Sequence, residues 1–173
     1  TRSKRDWSSD VCSSDLTGLA IGFRMDGKSN RAYCMLGDGE TQEGAVWEAA
    51  MSAGHYKLDN LCAVVDYNRL QIDGWVAEVM GVEPYADKWK AFRWNVIEVD
   101  GHDLSQMVRA YETAAQTKGR PTVILAHTIK GKGVSFMENE AGWHGRSPSR
   151  SVIQEAIVEL GCEAEGCLIR GMP

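Results

Sequence analysis

Residues 37–74 read GDGETQEGAVWEAAMSAGHYKLDNLCAVVDYNRLQIDG, and this stretch decides the fold. It opens just after a nearly continuous apolar run at 32–36 (AYCML). A helical pattern follows over 43–53, with Val46, Trp47, Ala50, Met51 and Gly54 at helical spacing. A second apolar run occupies 61–65, and the stretch closes in a turn-rich loop over 68–74. Continuous apolar runs predict strands covered on both faces. Strand, helix and strand in that order predict a crossover unit with parallel strands. Asp38 and Asn68 lie 30 positions apart, each just beyond a predicted strand.

The alternation continues on both sides. Residues 17–25 read as the tail of a small-residue helix, and 26–30 as a polar turn. A helix is expected over 85–92, just after Pro84, and a third strand over 96–99. Residues 103–117 form a predicted helix with Asp103 as N-cap and Leu104, Met107, Val108, Tyr111 and Ala115 on one face. A fourth strand is expected over 122–126, then a glycine-rich loop over 130–143 and an amphipathic helix over 152–160. The fold class expected is α/β, a mostly parallel sheet flanked by helices on both faces. Ligands of such sheets sit at the carboxyl ends of the strands. The loops that come after the strands at Gly37, Asn68 and Lys130 should therefore meet on one rim.

Composition narrows the class. The chain has 173 residues, 43% hydrophobic and 25% charged, enough for one domain with a sizeable core. Nineteen basic against 24 acidic residues leave a net charge of −5, without the basic stripe that a nucleic-acid partner requires. No run of 18 apolar residues is present to span a membrane. The five cysteines (Cys12, Cys34, Cys62, Cys162, Cys167) include no CxxC pair, and two sit in apolar runs, which points to a reducing cytoplasm. Residues 1–16 repeat the unit SSD, show no helical or strand period and read as a foreign leader; the native domain is taken as 17–173.

The chemistry of the rim comes from residue types. Gly37 and Gly39 let backbone N–H groups approach an anion, and the helix starting near Glu43 adds a positive dipole end. Asp38 offers a hard anionic oxygen, Asn68 an amide oxygen and Leu70 a carbonyl. Magnesium prefers such oxygens and fills its remaining positions with phosphate oxygens and water. The other reading of the GDG is a turn that ends a strand and nothing more.

These residues carry a family resemblance. GDGETQEGAVWEAAMSAGHYKLDNL and DYNRLQIDG resemble the thiamine-diphosphate motif of transketolases. The resemblance continues through ADKWKAFRWNVIEVDGHD and HTIKGKGVSFMENEAGWHG, covering 17–148. It is strongest to the amino-terminal, diphosphate-binding half, particularly where that half is a separate subunit. The resemblance implies that Asp38, Asn68 and the Leu70 carbonyl hold Mg²⁺ or Ca²⁺. It implies that Gly37 and Gly39 line the diphosphate, that Gly39 donates its N–H, and that Lys130 contacts the cofactor. His144 would lie near diphosphate and donor sugar, and Glu43 in a carboxylate network at a subunit interface. Each has a plainer reading: Lys130 and Lys132 as solvated charges, His144 as a loop histidine, Glu43 as a first-turn helix acid. His55, His102 and His127 receive no role, and Trp47, Trp89 and Trp94 read as packing.

The implied reaction moves a two-carbon glycolaldehyde unit from a ketose phosphate to an aldose phosphate, with thiamine diphosphate as electron sink. The glutamate that activates the aminopyrimidine belongs to the other half of such enzymes and has no counterpart here. A pyrimidine-binding C-terminal transketolase subunit is therefore the expected partner, within a homo- or hetero-oligomer. Two alternatives stand beside this reading: a 1-deoxyxylulose-5-phosphate synthase-like enzyme, and a non-catalytic cofactor-binding subunit. A nucleotide-binding α/β domain is disfavoured because no GxGxxG or GxxxxGK[ST] comes after any strand.

Overall fold

The computed structural model describes residues 10–161, with side chains from residue 14 onward. Residues 1–9 of the expected leader, the side chain of Cys12, and Cys162 and Cys167 in the closing segment lie outside the described residues. The elements run α1 (Asp10–Met25), β1 (Ala32–Gly37), α2 (Gly44–His55), β2 (Leu61–Tyr67), β3 (Leu70–Gln71), β4 (Gly74–Trp75), α3 (Val76–Val79), α4 (Tyr85–Ala91), β5 (Asn95–Asp100), α5 (Leu104–Gln116), β6 (Thr122–His127) and α6 (Arg150–Glu159). Four of the strands make one parallel sheet in the order β1-β2-β6-β5. Helices pack on both faces, as the alternation of runs predicts.

The period-2 alternation of strands divides the core into two layers. Leu61, Ala63, Val65 and Tyr67 of β2, with Val123 and Leu125 of β6, face α1, α2 and α4. Cys62 and Val64, with Ile124 and Ala126, face α5. Trp47, Trp89 and Trp94 belong to the first layer: Trp89 and Trp94 lie 4.9 Å apart edge to face, and the Trp94 indole N–H donates to the Ala50 carbonyl at 2.8 Å. The packing role expected for these tryptophans is what the structure gives them. Gly54 sits where α2 meets the turn after α4; a Cβ there would lie 1.9 Å from the Phe92 carbonyl oxygen.

Several expectations need correction. β1 is covered on one face only: Cys34 and Leu36 are buried, whereas Tyr33 and Met35 on the other face are 49% and 70% exposed. The reason is reach, since α5 packs on β2, β6 and β5 and touches β1 at the Tyr33–Tyr111 edge contact, 5.9 Å between ring centres. α5 itself does not bury the expected stripe. It packs through Ala110 and Ala114, with Met107 partly covered, and leaves Leu104, Val108, Tyr111 and Ala115 exposed. Alanines allow the helix to lie close to the sheet, which turns the larger residues outward. Met51 of α2 is also exposed. The loop expected at 68–74 contains a two-residue hairpin, with Leu70 paired to Trp75 and Gln71 to Gly74. α1 begins at Asp10 and so runs through part of the expected leader, with Leu16 packed against the core. A helix anchored by its buried face propagates outward at little cost per residue.

Candidate functional site

Strand register brings the three loops together. Gly37 pairs with Asp66, Asp66 with Ala126, and His127 with both Tyr67 and Asp100. The chain after β1, after β2 and after β6 therefore leaves the sheet along one edge.

Asp38 is the buried centre of the first loop, with 1% of its surface exposed. Its carbonyl accepts from the Thr41 N–H at 3.2 Å and the Thr41 hydroxyl at 2.6 Å, closing a short 3-10 turn over Gly39–Gln42. Its Oδ1 accepts the Gly39 N–H at 2.8 Å, and its Oδ2 accepts the backbone N–H of Arg69 in the second loop. Burial pushes the Asp38 carboxyl up to about 6, and the neighbouring Asp66 charge pushes the same way; the N–H bonds from Arg69 and Gly39 oppose them. Gly39 has no room for a side chain, since a Cβ would lie 2.8 Å from that of Gln71. The Gly37 N–H donates to Glu40 Oε2 at 3.0 Å. Both glycine N–H groups are thus engaged by carboxylate oxygens of the chain itself, which a bound diphosphate would have to replace.

The second loop is held by side chains. Asn68 donates through Nδ2 to Asp66 Oδ2 at 3.0 Å, and its Oδ1 accepts the Leu70 N–H at 2.9 Å. Asp66 Oδ1 accepts the hydroxyl of Thr128, in the loop after β6. Arg69 adopts φ +65°, a left-handed conformation uncommon outside glycine. That turn aims its N–H at Asp38 and carries its guanidinium outward, 5.3 Å over the Tyr67 ring.

The third loop starts at Thr128. Its Ile129 N–H donates to His102 Nε2 at 2.8 Å, and the His102 N–H donates to Asp100 Oδ1 at 2.9 Å. Lys130 Nζ lies 3.4 Å from His144 Nδ1, so two expected site residues meet. His144 comes directly after Trp143, whose indole N–H is fixed on the Phe136 carbonyl at 3.0 Å. A cavity of about 360 Å³ opens between these loops, lined by Asp66, Asn68, His102, Ile129, Lys130 and Met35 among others. Lys132 reaches Glu138 at 3.9 Å, and His127 Nε2 lies 3.0 Å from Glu98 Oε2. His55 stacks edge-on against Tyr56.

Asp38, Asn68 and Leu70 are therefore one unit, Lys130 shares a cavity with Asn68, and His144 touches Lys130. Glu43 is apart from them, exposed at the amino end of α2 and making no capping bond through its side chain. Asp66 and Thr128 were not singled out from sequence. An aspartate two residues before the expected amide ligand was the available signal, masked by its place inside an apolar strand.

The donor set fits a divalent cation carried by a diphosphate. Two carboxylates, Asp38 and Asp66, stand close enough to repel, and a bound cation would offset that repulsion. Among the described residues no three His, Cys, Asp or Glu side chains converge as a metal cage. One carboxylate, one amide and one carbonyl leave several positions of an octahedral ion to oxygens from outside the protein, as phosphate oxygens would supply.

Known proteins bear on the same rim. A family model described as "Transketolase, thiamine diphosphate binding domain" matches residues 22–170. The 6-deoxy-6-sulfo-D-fructose transketolase subunit SqwG of Clostridium sp. is 45% identical over 149 residues, covering 86% of this chain and 54% of that one. An apulose-4-phosphate transketolase subunit of Phocaeicola vulgatus is 43% identical over 143 residues, covering 83% of this chain and 51% of that one. The crystal structure of transketolase from Campylobacter jejuni superimposes with a TM-score of 0.82 at 28% identity, covering 87% of this chain and 25% of that one. The chain spans about half the length of these curated subunit relatives.

Proposed function

This chain belongs to the family of the transketolase thiamine diphosphate binding domain, and from that membership we propose that it is the diphosphate-binding half of a two-polypeptide transketolase. The reaction is transfer of a glycolaldehyde unit from a ketose phosphate to an aldose phosphate. The partner is a pyrimidine-binding polypeptide. Relatives named as transketolase subunits, matched over half their length, support that division. The buried cysteine thiols Cys34 and Cys62 support a cytoplasmic setting.

The observation that carries the reading is the meeting of Asp38 with the loop of Asn68 at one sheet edge. Asp38, Asn68 and the Leu70 carbonyl would hold Mg²⁺ or Ca²⁺, and the turn of Gly37 and Gly39 would take the diphosphate. Thiamine diphosphate, when bound, supplies the electron sink for cleavage beside the ketose carbonyl. The chain's own residues do the rest. Asp38 supplies fixed negative charge to the cation. Lys130 brings a positive charge to the phosphate side. His144, beside Lys130 on an exposed loop, orients the donor sugar and exchanges a proton with a hydroxyl. Glu43, exposed at the start of α2, is free to join a carboxylate network across a subunit contact.

The test is co-expression of this chain with a neighbouring reading frame that encodes a pyrimidine-binding half, and then a ketose-to-aldose transfer assay with thiamine diphosphate and magnesium. Transfer by the pair, and none by either chain alone, is the expected result. A pair that binds the cofactor tightly without turnover would reassign the chain as a non-catalytic cofactor subunit.

A further inference from the structure

We infer that Asp66 is the positioning residue of the site: its carboxylate, anchored by Thr128, fixes the side-chain amide of Asn68 so that the amide oxygen is presented to the cation. The inference rests on the cofactor reading above and adds a residue to it.

The hydrogen bonds define the arrangement at both ends of the amide. An ionised carboxylate only accepts, so the NH₂ of Asn68 must turn toward Asp66 Oδ2, at 3.0 Å. The amide oxygen then lies at the opposite end, where the Leu70 N–H takes one lone pair at 2.9 Å. Its second lone pair remains for a metal. Asp66 is itself held, because Oδ1 accepts the Thr128 hydroxyl from the neighbouring loop. Its backbone carbonyl also accepts the Asp38 N–H at 3.3 Å, so the same residue borders both proposed side-chain ligands. Residues behind a metal ligand that fix its orientation contribute about 10–100-fold to metal affinity. Asp66 occupies that place here, and its negative charge is a second contribution that does not depend on Asn68.

Two variants separate orientation from charge. Binding of Mn²⁺ to the assembled pair in the presence of thiamine diphosphate is tracked by the electron paramagnetic resonance signal of free Mn²⁺, above what the cofactor holds alone. Asp66→Ala removes the acceptor that fixes the amide and should weaken Mn²⁺ binding about tenfold or more. Asp66→Asn removes the charge but keeps one acceptor oxygen for the Asn68 amide, while its own NH₂ can donate to the Thr128 hydroxyl. It should hold Mn²⁺ to within about threefold of the native pair. Equal losses in the two variants would mean that Asp66 acts through its charge alone, and the inference falls. No loss in Asp66→Ala overturns it equally. A native pair that holds no Mn²⁺ beyond that of the cofactor would bring down the cofactor reading itself, and this inference with it.

Discussion

The ammonium group of Lys130 stands 3.4 Å from Nδ1 of His144, so the lysine fixes the ring it touches. A lysine ammonium has donors only, hence Nδ1 is the acceptor in this contact and Nε2 is the ring nitrogen that the contact leaves open. In the proposed function Nε2 would meet a substrate hydroxyl. His144→Ala in the assembled pair should therefore lower kcat by about 100-fold or more, the scale of a lost acid–base group. The thiamine diphosphate Kd should change by less than about threefold. Steady-state kinetics with calorimetry checks both, and equal losses would make His144 a cofactor-retaining residue instead.

Asp38→Ala should weaken magnesium-dependent thiamine diphosphate binding by more than about 100-fold, because the one anionic ligand is removed. It should also lower stability. The N–H groups of Arg69 and Gly39 lose their acceptor, at a cost of about 1–3 kcal/mol for each that stays buried. Asp38→Asn keeps an acceptor oxygen and should separate the two effects, losing cofactor affinity with a smaller drop in Tm. Undiminished affinity in magnesium would remove Asp38 from the metal site.

The raised Asp38 carboxyl gives the cofactor-free chain a pH dependence of definite sign. Its folded value of about 6 lies above the ordinary 3.8, so the protonated form is the one that folding favours. The contribution is complete below about pH 4 and is lost as pH rises through about 6, on the order of 3 kcal/mol at most. Melting temperature measured without metal should fall across that window, and Asp38→Asn should remove this part of the slope. Cation binding runs the opposite way, since it requires the ionised carboxylate, so magnesium with thiamine diphosphate should stabilise most above pH 6.

Gly54→Ala tests the packing that sets α2 against the turn after α4. The added Cβ would lie 1.9 Å from the Phe92 carbonyl oxygen, and backbone must move. Overpacking of this kind costs about 1–3 kcal/mol, which lowers Tm by about 2–10 °C for a chain of this size. An unchanged melting curve would show that the two elements separate more easily than their packing implies.

The rim was legible from sequence because two independent patterns coincide there. Apolar runs mark where strands end, and glycine with aspartate or asparagine marks the loop beyond. Asp38 and Asn68 stand out in that way, whereas the role expected for Lys130 came only from the family resemblance. Other features depend on partners that a local pattern does not contain. Leu104, Val108 and Tyr111 have the spacing of a buried stripe, yet α5 settles on Ala110 and Ala114, because contact distance between helix and sheet decides which side faces in. Met35 looks like core in an apolar run and is exposed because none of the described helices covers that face of β1. Asp66 pairs with Asn68 nearby but also with Thr128, 62 positions away, and a separation of that length leaves no local trace.

The left-handed turn at Arg69 has a further effect. An arginine whose side chain turned toward Asp38 would neutralise it as a fixed counter-ion, and the cleft would then have little appetite for a mobile one. Instead the residue lends the carboxylate an uncharged amide proton while its own positive charge is parked on the Tyr67 ring. The cleft is thereby kept electrically hungry. The backbone twist at one arginine leaves the acid without that counter-ion, which is the arrangement the proposed cation site requires.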